Sequence, residues 1–468
     1  MPNPYLAPIW SRYLAIACSA GLLAIWTLPG TIALRHLFLA LGFIASVFIL
    51  RQNYSRLIQK SAWPIWVFSL FYGWLLIHLA FLSHEFPAQL SELRSVWARS
   101  LIGSVIGLCT GLSLQANQSL SKHHSQSRPL HSFSFYSKLI LFMGLSAPAW
   151  IIFGSFLAAM LHSGQGMQFD IYQFLYALYR TKPAYVIFVT LSLPLCFILL
   201  MRALRHQEPR GWITLSLVTI LLIPFGGFFI GSKNAMMLFG LISLIFFINV
   251  IASFIQRSKI SWGALAALCL IAFIGIFGLH KHLERTSSWM SMTDNMRIAR
   301  DIDHHDFWKN RDAFPRPTNS HGQLVDISTY ERTAWFTAGT RLLQENPLGY
   351  GLTHHSFGTL ALAKWPDFYK PNGNLKGATH SGWLDLALGV GIPGVAIILL
   401  CLIASWVRSF KYQGLWYTYA AWAIPLILFT YLIAELGESH FLEILFFMTA
   451  LFCGLTVPPQ VKTENFDG

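Results

Sequence analysis

Twelve runs of about twenty apolar residues leave this chain few options. They fall near 12–28, 31–50, 62–82, 97–115, 138–161, 183–203, 211–231, 234–254, 262–280, 382–407, 416–434 and 441–457. A helix needs about 20 apolar residues to cross the hydrocarbon of a bilayer. Composition agrees. Charged residues are 11% of the chain and apolar residues 54%, whereas an average soluble domain carries roughly 25% charged residues. The expected fold class is therefore an all-α integral membrane protein with about 12 transmembrane helices.

The charge balance is +13. In a soluble protein such an excess suggests nucleic acid; here the loops account for it. Arg51, Arg56 and Lys60 follow the second run, and Lys122, Arg128 and Lys138 the fourth. Arg202, Arg205 and Arg210 follow the sixth, Arg257 and Lys259 the eighth, and Arg408 and Lys411 the tenth. The connections His84–Ser95 and Glu435-Leu436-Gly437-Glu438 lack this excess. Cytoplasmic loops carry the Lys/Arg excess, so both termini are expected in the cytoplasm and no nucleic-acid partner is required. Arg12 followed by Tyr13–Leu28 reads as an uncleaved first span. All six cysteines lie inside apolar runs, without metal-ligand spacing, and read as small buried hydrophobes.

One connection is long. His280 to Thr379 is a loop of about 100 residues on the outer side. The expected organisation is spans one to nine over 1–279, a periplasmic loop over 280–379, spans ten to twelve over 380–457, and a cytoplasmic tail over 458–468. Within the loop, Asp326-Ile327-Ser328 is a helix start, and Tyr330 to Glu345 reads as an amphipathic helix. Asn346-Pro347-Leu348-Gly349 stops it, and Gly349-Tyr350-Gly351 continues as a turn. Arg332 and Arg341 lie on this helix but on different faces. The segment Asp301 to Asp306, with His304 and His305, reads as a solvated loop rather than a metal site. Trp335, Trp365 and Tyr369 suit either stacking on sugars or anchoring at the membrane interface. His380 stands where the chain enters the tenth span, whose four glycines and Pro393 permit close approach or a bend. Asp385, one turn in, is an intramembrane acid, which makes it a functional candidate.

Read in order, Arg332-x-x-Trp335, Glu345-Asn346-Pro347-Leu348-Gly349-Tyr350-Gly351, Thr379-His380-Ser381 and Leu386 to Gly394 resemble the signature region of the O-antigen ligase and polymerase superfamily. The resemblance covers about Gly231 to Ala404. It implies a GT-C-like membrane glycosyltransferase, with a large periplasmic loop between helices nine and ten, that takes a glycan from undecaprenyl diphosphate. The implied acceptor is the lipid A core or another glycan or protein, with membrane lipids around it and no cofactor or metal. In this reading His380 matches the family histidine and Arg332 the loop arginine.

The chemistry suits those residue types. A departing diphosphate needs fixed positive charge where water is scarce, and the planar fork of arginine binds phosphate oxygens in pairs. A sugar hydroxyl is a poor nucleophile that gains from a base near neutrality, such as histidine. Lys233, where the family usually carries arginine, together with Arg180 and Arg341, is a further candidate for the diphosphate. Asp385 is expected to orient His380 from behind. The resemblance also covers an O-antigen polymerase and a protein O-oligosaccharyltransferase. A polysaccharide or solute transporter is the alternative from another class; against it stand the scarcity of mid-span charges and the absence of a visible repeat between the two halves.

Overall fold

Backbone in lipid must satisfy its own N–H and C=O groups, which favours helices. The computed structural model describes residues 8–123, 128–163, 182–257, 273, 292–353, 356–368, 377–436 and 439–458; these form helices and no strand element. Before the long loop come α1 (Ile9–Ile25), α2 (Ile32–Leu57), α3 (Trp63–Phe81), α4 (Phe86–Glu92), α5 (Ala98–His123), α6 (Arg128–Ser163), α7 (Lys182–Leu204), α8 (Gly211–Ile230) and α9 (Lys233–Arg257). The loop carries α10 (Met292–Arg300), α11 (Ile327–Glu345) and α12 (Ser356–Lys364). The chain closes with α13 (Gly382–Ser409), α14 (Leu415–Ile433) and α15 (Ser439–Leu455).

Among the described residues, eight helical segments are long and apolar enough to cross a membrane. Three shorter apolar helices, Ile9–Ile25, Lys233–Asn249 and Ser439–Leu455, join them. The protein is thus an all-helical, multi-pass membrane protein. The expected ninth span, 262–280, lies outside the described residues apart from Phe273, and Cys269 lies outside them too. The other five cysteines are buried and free.

The bundle is organised around α15, which is largely apolar, and Phe441 to Leu455 are buried throughout. Helix α5 packs against it at backbone distance. A Cβ on Gly107 would meet the Phe447 carbonyl at 2.3 Å, and one on Gly111 the Leu451 carbonyl at 2.3 Å. Small residues at such positions let two helices approach without side chains between them. Helix α2, by contrast, exposes Ile32, Leu34, Leu37, Ile44 and Phe48, the composition of a lipid-facing surface.

Two stretches differ from expectation. His84–Ser95 is largely helical rather than a simple loop. Pro87 lies in the first turn of α4, where its ring suits a helix start. A π-helical turn, Leu93–Trp97, then passes into α5. The loop segment Asp301 to Asp306 is not simply solvated, because the apolar residues within and beside it are inside. Ile302, Phe307 and Trp308 join Val325, Tyr330, Ala334, Trp335, Ala338, Leu342, Phe357 and Phe368 in a second hydrophobic core, which reaches Leu388 of α13. The charges point outward, with His304 Nδ1 on Asp301 at 2.7 Å. Trp335 and Trp365 belong to this core rather than to a sugar-stacking surface. Trp335 donates its indole N–H to the Trp308 carbonyl at 3.1 Å, and Trp365 meets the Trp308 ring edge-on at 5.1 Å. Tyr369 lies outside the described residues.

Candidate functional site

Helix α11 begins where its cap predicts. The Asp326 side chain accepts from Thr329 N at 2.9 Å, satisfying a first-turn donor that the helix leaves unpaired. The helix places Arg332, Trp335 and Gly339 along one side. At Gly339 it lies close against the entry to α13, where a Cβ would come within 2.6 Å of Thr379 Cγ2. Arg332 is half-buried, and among the described residues no hydrogen bond or ion pair engages its guanidinium. Burial pushes this guanidinium down from its ordinary value, while the charges of Glu435 and Asp326 act the other way. Its neighbour Glu331, the obvious pairing partner, is taken by Arg311.

His380 sits at the turn before α13, and its partner Glu435 is within electrostatic reach of Arg332. Its Nδ1 lies 2.5 Å from Glu435 Oε2. Its ring stacks on Trp335, with centroids 5.2 Å apart and planes 6° from parallel. The backbone holds His380 at φ 60°, a left-handed conformation that costs a non-glycine residue of order 1 kcal/mol or more. Asp385 explains how that conformation is kept. One of its oxygens accepts from Thr379 N and Thr379 Oγ1, both at 2.8 Å, and the other from Leu436 N at 3.0 Å. Asp385 therefore ties the residue before His380 to the residue after Glu435. A carboxylate on Nδ1 fixes the proton there, so the free lone pair is on Nε2.

The Asn346-to-Gly351 turn is inserted into a break in α13. Gly391 has φ 72° and ψ 173°, a combination open essentially only to glycine. Pro393 has no N–H, so the Gly389 carbonyl loses its helical donor. Ile392 N turns away to the Pro347 carbonyl at 2.9 Å. The carbonyls so released are taken from outside the helix. Tyr350 N reaches Leu388 O at 2.7 Å, Gly351 N reaches Gly389 O at 2.8 Å, and Trp74 Nε1 reaches Val390 O at 2.7 Å. Gly349 is at φ 89°, and a Cβ there would strike Gly391 N at 2.4 Å. From the other side, His78 Nε2 bonds the Leu348 carbonyl at 3.0 Å and its Nδ1 accepts from Gln89 Nε2 at 3.0 Å. Glu92 accepts from Thr353 N and Oγ1 at 2.9 and 2.8 Å.

The remaining expected site residues divide. Lys233 begins α9, just beyond the left-handed Gly231 that ends α8. A Cβ on Gly231 would lie 3.8 Å from Lys182 Nζ, so the Lys182 ammonium lies beside the turn that Lys233 follows. Among the described residues, no hydrogen bond or ion pair joins Lys233 to Arg332 or His380. Arg341 does not join them either, because both of its terminal nitrogens bond Asp303 at 2.6 Å. Arg180 lies outside the described residues. Glu435 is the member that sequence reading assigned only to topology. Its signal is an acid placed just before the last span, which becomes informative only once α14 brings that end back beside α13.

Residues 217–399 match the family model described as O-antigen ligase. The match spans α8 to most of α13 and includes Lys233, Arg332, His380 and Asp385, while Glu435 falls beyond it. No curated protein matches the chain.

Proposed function

From the O-antigen ligase superfamily, which the match over residues 217–399 supports, we propose that the chain moves a glycan from undecaprenyl diphosphate to an acceptor at the periplasmic face. The acceptor in this reading is the lipid A core, and the protein lies in the bacterial inner membrane with both termini cytoplasmic. The observation that carries the proposal is the uncommitted Arg332 guanidinium beside the His380–Glu435 pair.

His380 Nε2 takes the proton of the acceptor hydroxyl as that oxygen attacks the anomeric carbon. Glu435 stabilises the imidazolium that forms, and the Trp335 face beneath the ring does so more weakly. Arg332 receives the negative charge that builds on the departing diphosphate. A guanidinium already bonded to a protein carboxylate, such as Arg341, would have to exchange partners first, so Arg341 is left out of this role. Lys233 and Lys182 supply charge for the same lipid diphosphate further along the rim. Basic residues following α2, α7 and α13 support the sidedness.

The test is complementation of a strain lacking the gene, with lipopolysaccharide resolved on a gel. Wild type restores the long ladder, and His380→Ala and Arg332→Ala do not at matched protein level. A full ladder from both variants would overturn the assignment of roles. An intact ladder in the deletion strain would overturn the lipid A-core acceptor.

A further inference from the structure

Helix α15 begins four residues after Glu435, and its second turn carries a carboxylate that the transfer chemistry does not use. Glu443 is buried. One of its oxygens accepts from Trp26 Nε1 at 2.7 Å, and the other from Arg99 Nε at 2.7 Å. Arg35, one turn into α2, lies within electrostatic reach of both Glu443 and Arg99. Its own hydrogen bonding is sparse: Nη1 reaches the Trp26 carbonyl at 3.4 Å, and its Nε is buried without an acceptor. The terminal nitrogens of Arg99 have no hydrogen-bond partner among the described residues. Arg99 is thus bonded to the Glu443 carboxylate while Arg35 lies in its field without bonding it, and among the described residues most N–H donors of the two guanidiniums are unused.

Two like charges held together in a largely apolar bundle are unfavourable unless a further anion joins them. The position says where that anion comes from. The Arg99 side chain is 30% exposed, and Arg35 is half-buried. Around Arg35, α2 presents Ile32, Leu34 and Leu37 outward, so the cationic pair opens onto the lipid-facing surface at the level of the helix's first turn. A headgroup there would meet the two forks while its acyl chains lie along Leu34 and Leu37. Arginine suits a phosphate headgroup at a span end because its planar fork binds phosphate oxygens through paired N–H···O bonds.

We propose that Arg35 and Arg99 bind the phosphate of an anionic membrane lipid, with Glu443 and Trp26 holding the two guanidiniums at a set spacing. The residues of this site are not those of the His380 centre, and the inference does not depend on the transfer reaction.

Native mass spectrometry of the purified full-length protein tests it. The probes are phosphatidylglycerol and phosphatidylcholine, each added at equal concentration, and inorganic phosphate as competitor. Wild type retains phosphatidylglycerol over phosphatidylcholine. In the Arg35→Gln/Arg99→Gln double variant that retention falls about tenfold or more, whereas Arg408→Gln, at the far end of α13, leaves it unchanged. Should the double variant not purify as a monodisperse species, Arg35→Lys is read instead. It keeps the charge, loses the fork, and retains several-fold less phosphatidylglycerol. Equal retention in wild type and in the variant read would overturn the site, as would an equal loss in Arg408→Gln. Complete displacement by millimolar inorganic phosphate would overturn the lipid as its occupant.

Discussion

Replacing Glu435 with glutamine removes a charge and almost no volume. The new side-chain oxygen can still accept the Nδ1 proton, so the ring keeps its tautomer. In the proposed reaction, what is lost is the balancing charge when His380 becomes an imidazolium in the transition state. Two unit charges 4 Å apart interact by about 4 kcal/mol at an effective dielectric of about 20. The two side chains are 23% and 22% exposed, so water screens part of this. Discounting by half leaves about 2 kcal/mol as the lower figure. At 1.36 kcal/mol per decade, kcat falls between about 30-fold and 1000-fold. The loss is specific to the transition state, so KM for donor and acceptor stays within about threefold. The assay is release of undecaprenyl diphosphate from a lipid-linked glycan by purified protein, at varied donor and acceptor. A Glu435→Gln enzyme with kcat within threefold of wild type would refute the reasoning, as would a loss carried entirely by KM.

Other substitutions probe the surroundings. Gly391→Ala puts a methyl group within 2.2 Å of the Leu348 carbonyl and forces a residue with a Cβ into a glycine conformation, which costs about 1–3 kcal/mol before any contact is lost. The expected result is a lower thermal midpoint by light scattering and a faster-digested loop in limited proteolysis. For Lys233, a role through charge alone predicts activity kept in Lys233→Arg and lost in Lys233→Ala, read as ladder length at equal expression. Arg341→Ala should change transfer by less than about twofold, since its partner Asp303 is exposed and such pairs contribute little. Hydrogen bonding from Arg341 holds the Asp303 carboxyl below its ordinary value. Whatever stability the pair contributes is therefore present at neutral pH and fades as pH falls through the folded-state value; a pH series of thermal midpoints for wild type and variant should converge in acid.

The parts legible in the sequence were those written in local chemistry. Asp326 announces α11 because a capping carboxylate acts three residues away, and Asn346-Pro347 ends it for equally local reasons. Most of the apolar runs set the helices to within a few residues because hydrophobic length is all a span requires, whereas α2 and α5 continue seven and eight residues past their runs and α6 begins ten residues early, through polar sequence that extends the helix beyond its apolar run. The loop core was hidden because Asp301, Asp303 and Asp306 surround Ile302, Phe307 and Trp308, and a window average records the charges. Glu435 was hidden for a different reason. Its partner is 55 residues earlier in the chain, and an acid between two spans has an adequate topological explanation without one. The same holds for His78 and Gln89, whose joint task is to hold a carbonyl 270 residues from the histidine.

The broken α13 has a consequence for biogenesis. Leu388 lies about 9 Å along the helix from its start, at 1.5 Å per residue. A newly inserted α13 that adopts this bend exposes the carbonyls of Leu388, Gly389 and Val390 and the amide of Ile392 in a medium that cannot satisfy them. Their partners come from Pro347, Tyr350 and Gly351, translated earlier, and from Trp74 on α3. The segment before α13 therefore completes a span rather than merely covering it. Membrane integration of α13 and folding of the loop become one cooperative event, and amide exchange at Tyr350, Gly351 and Ile392 should rise and fall together.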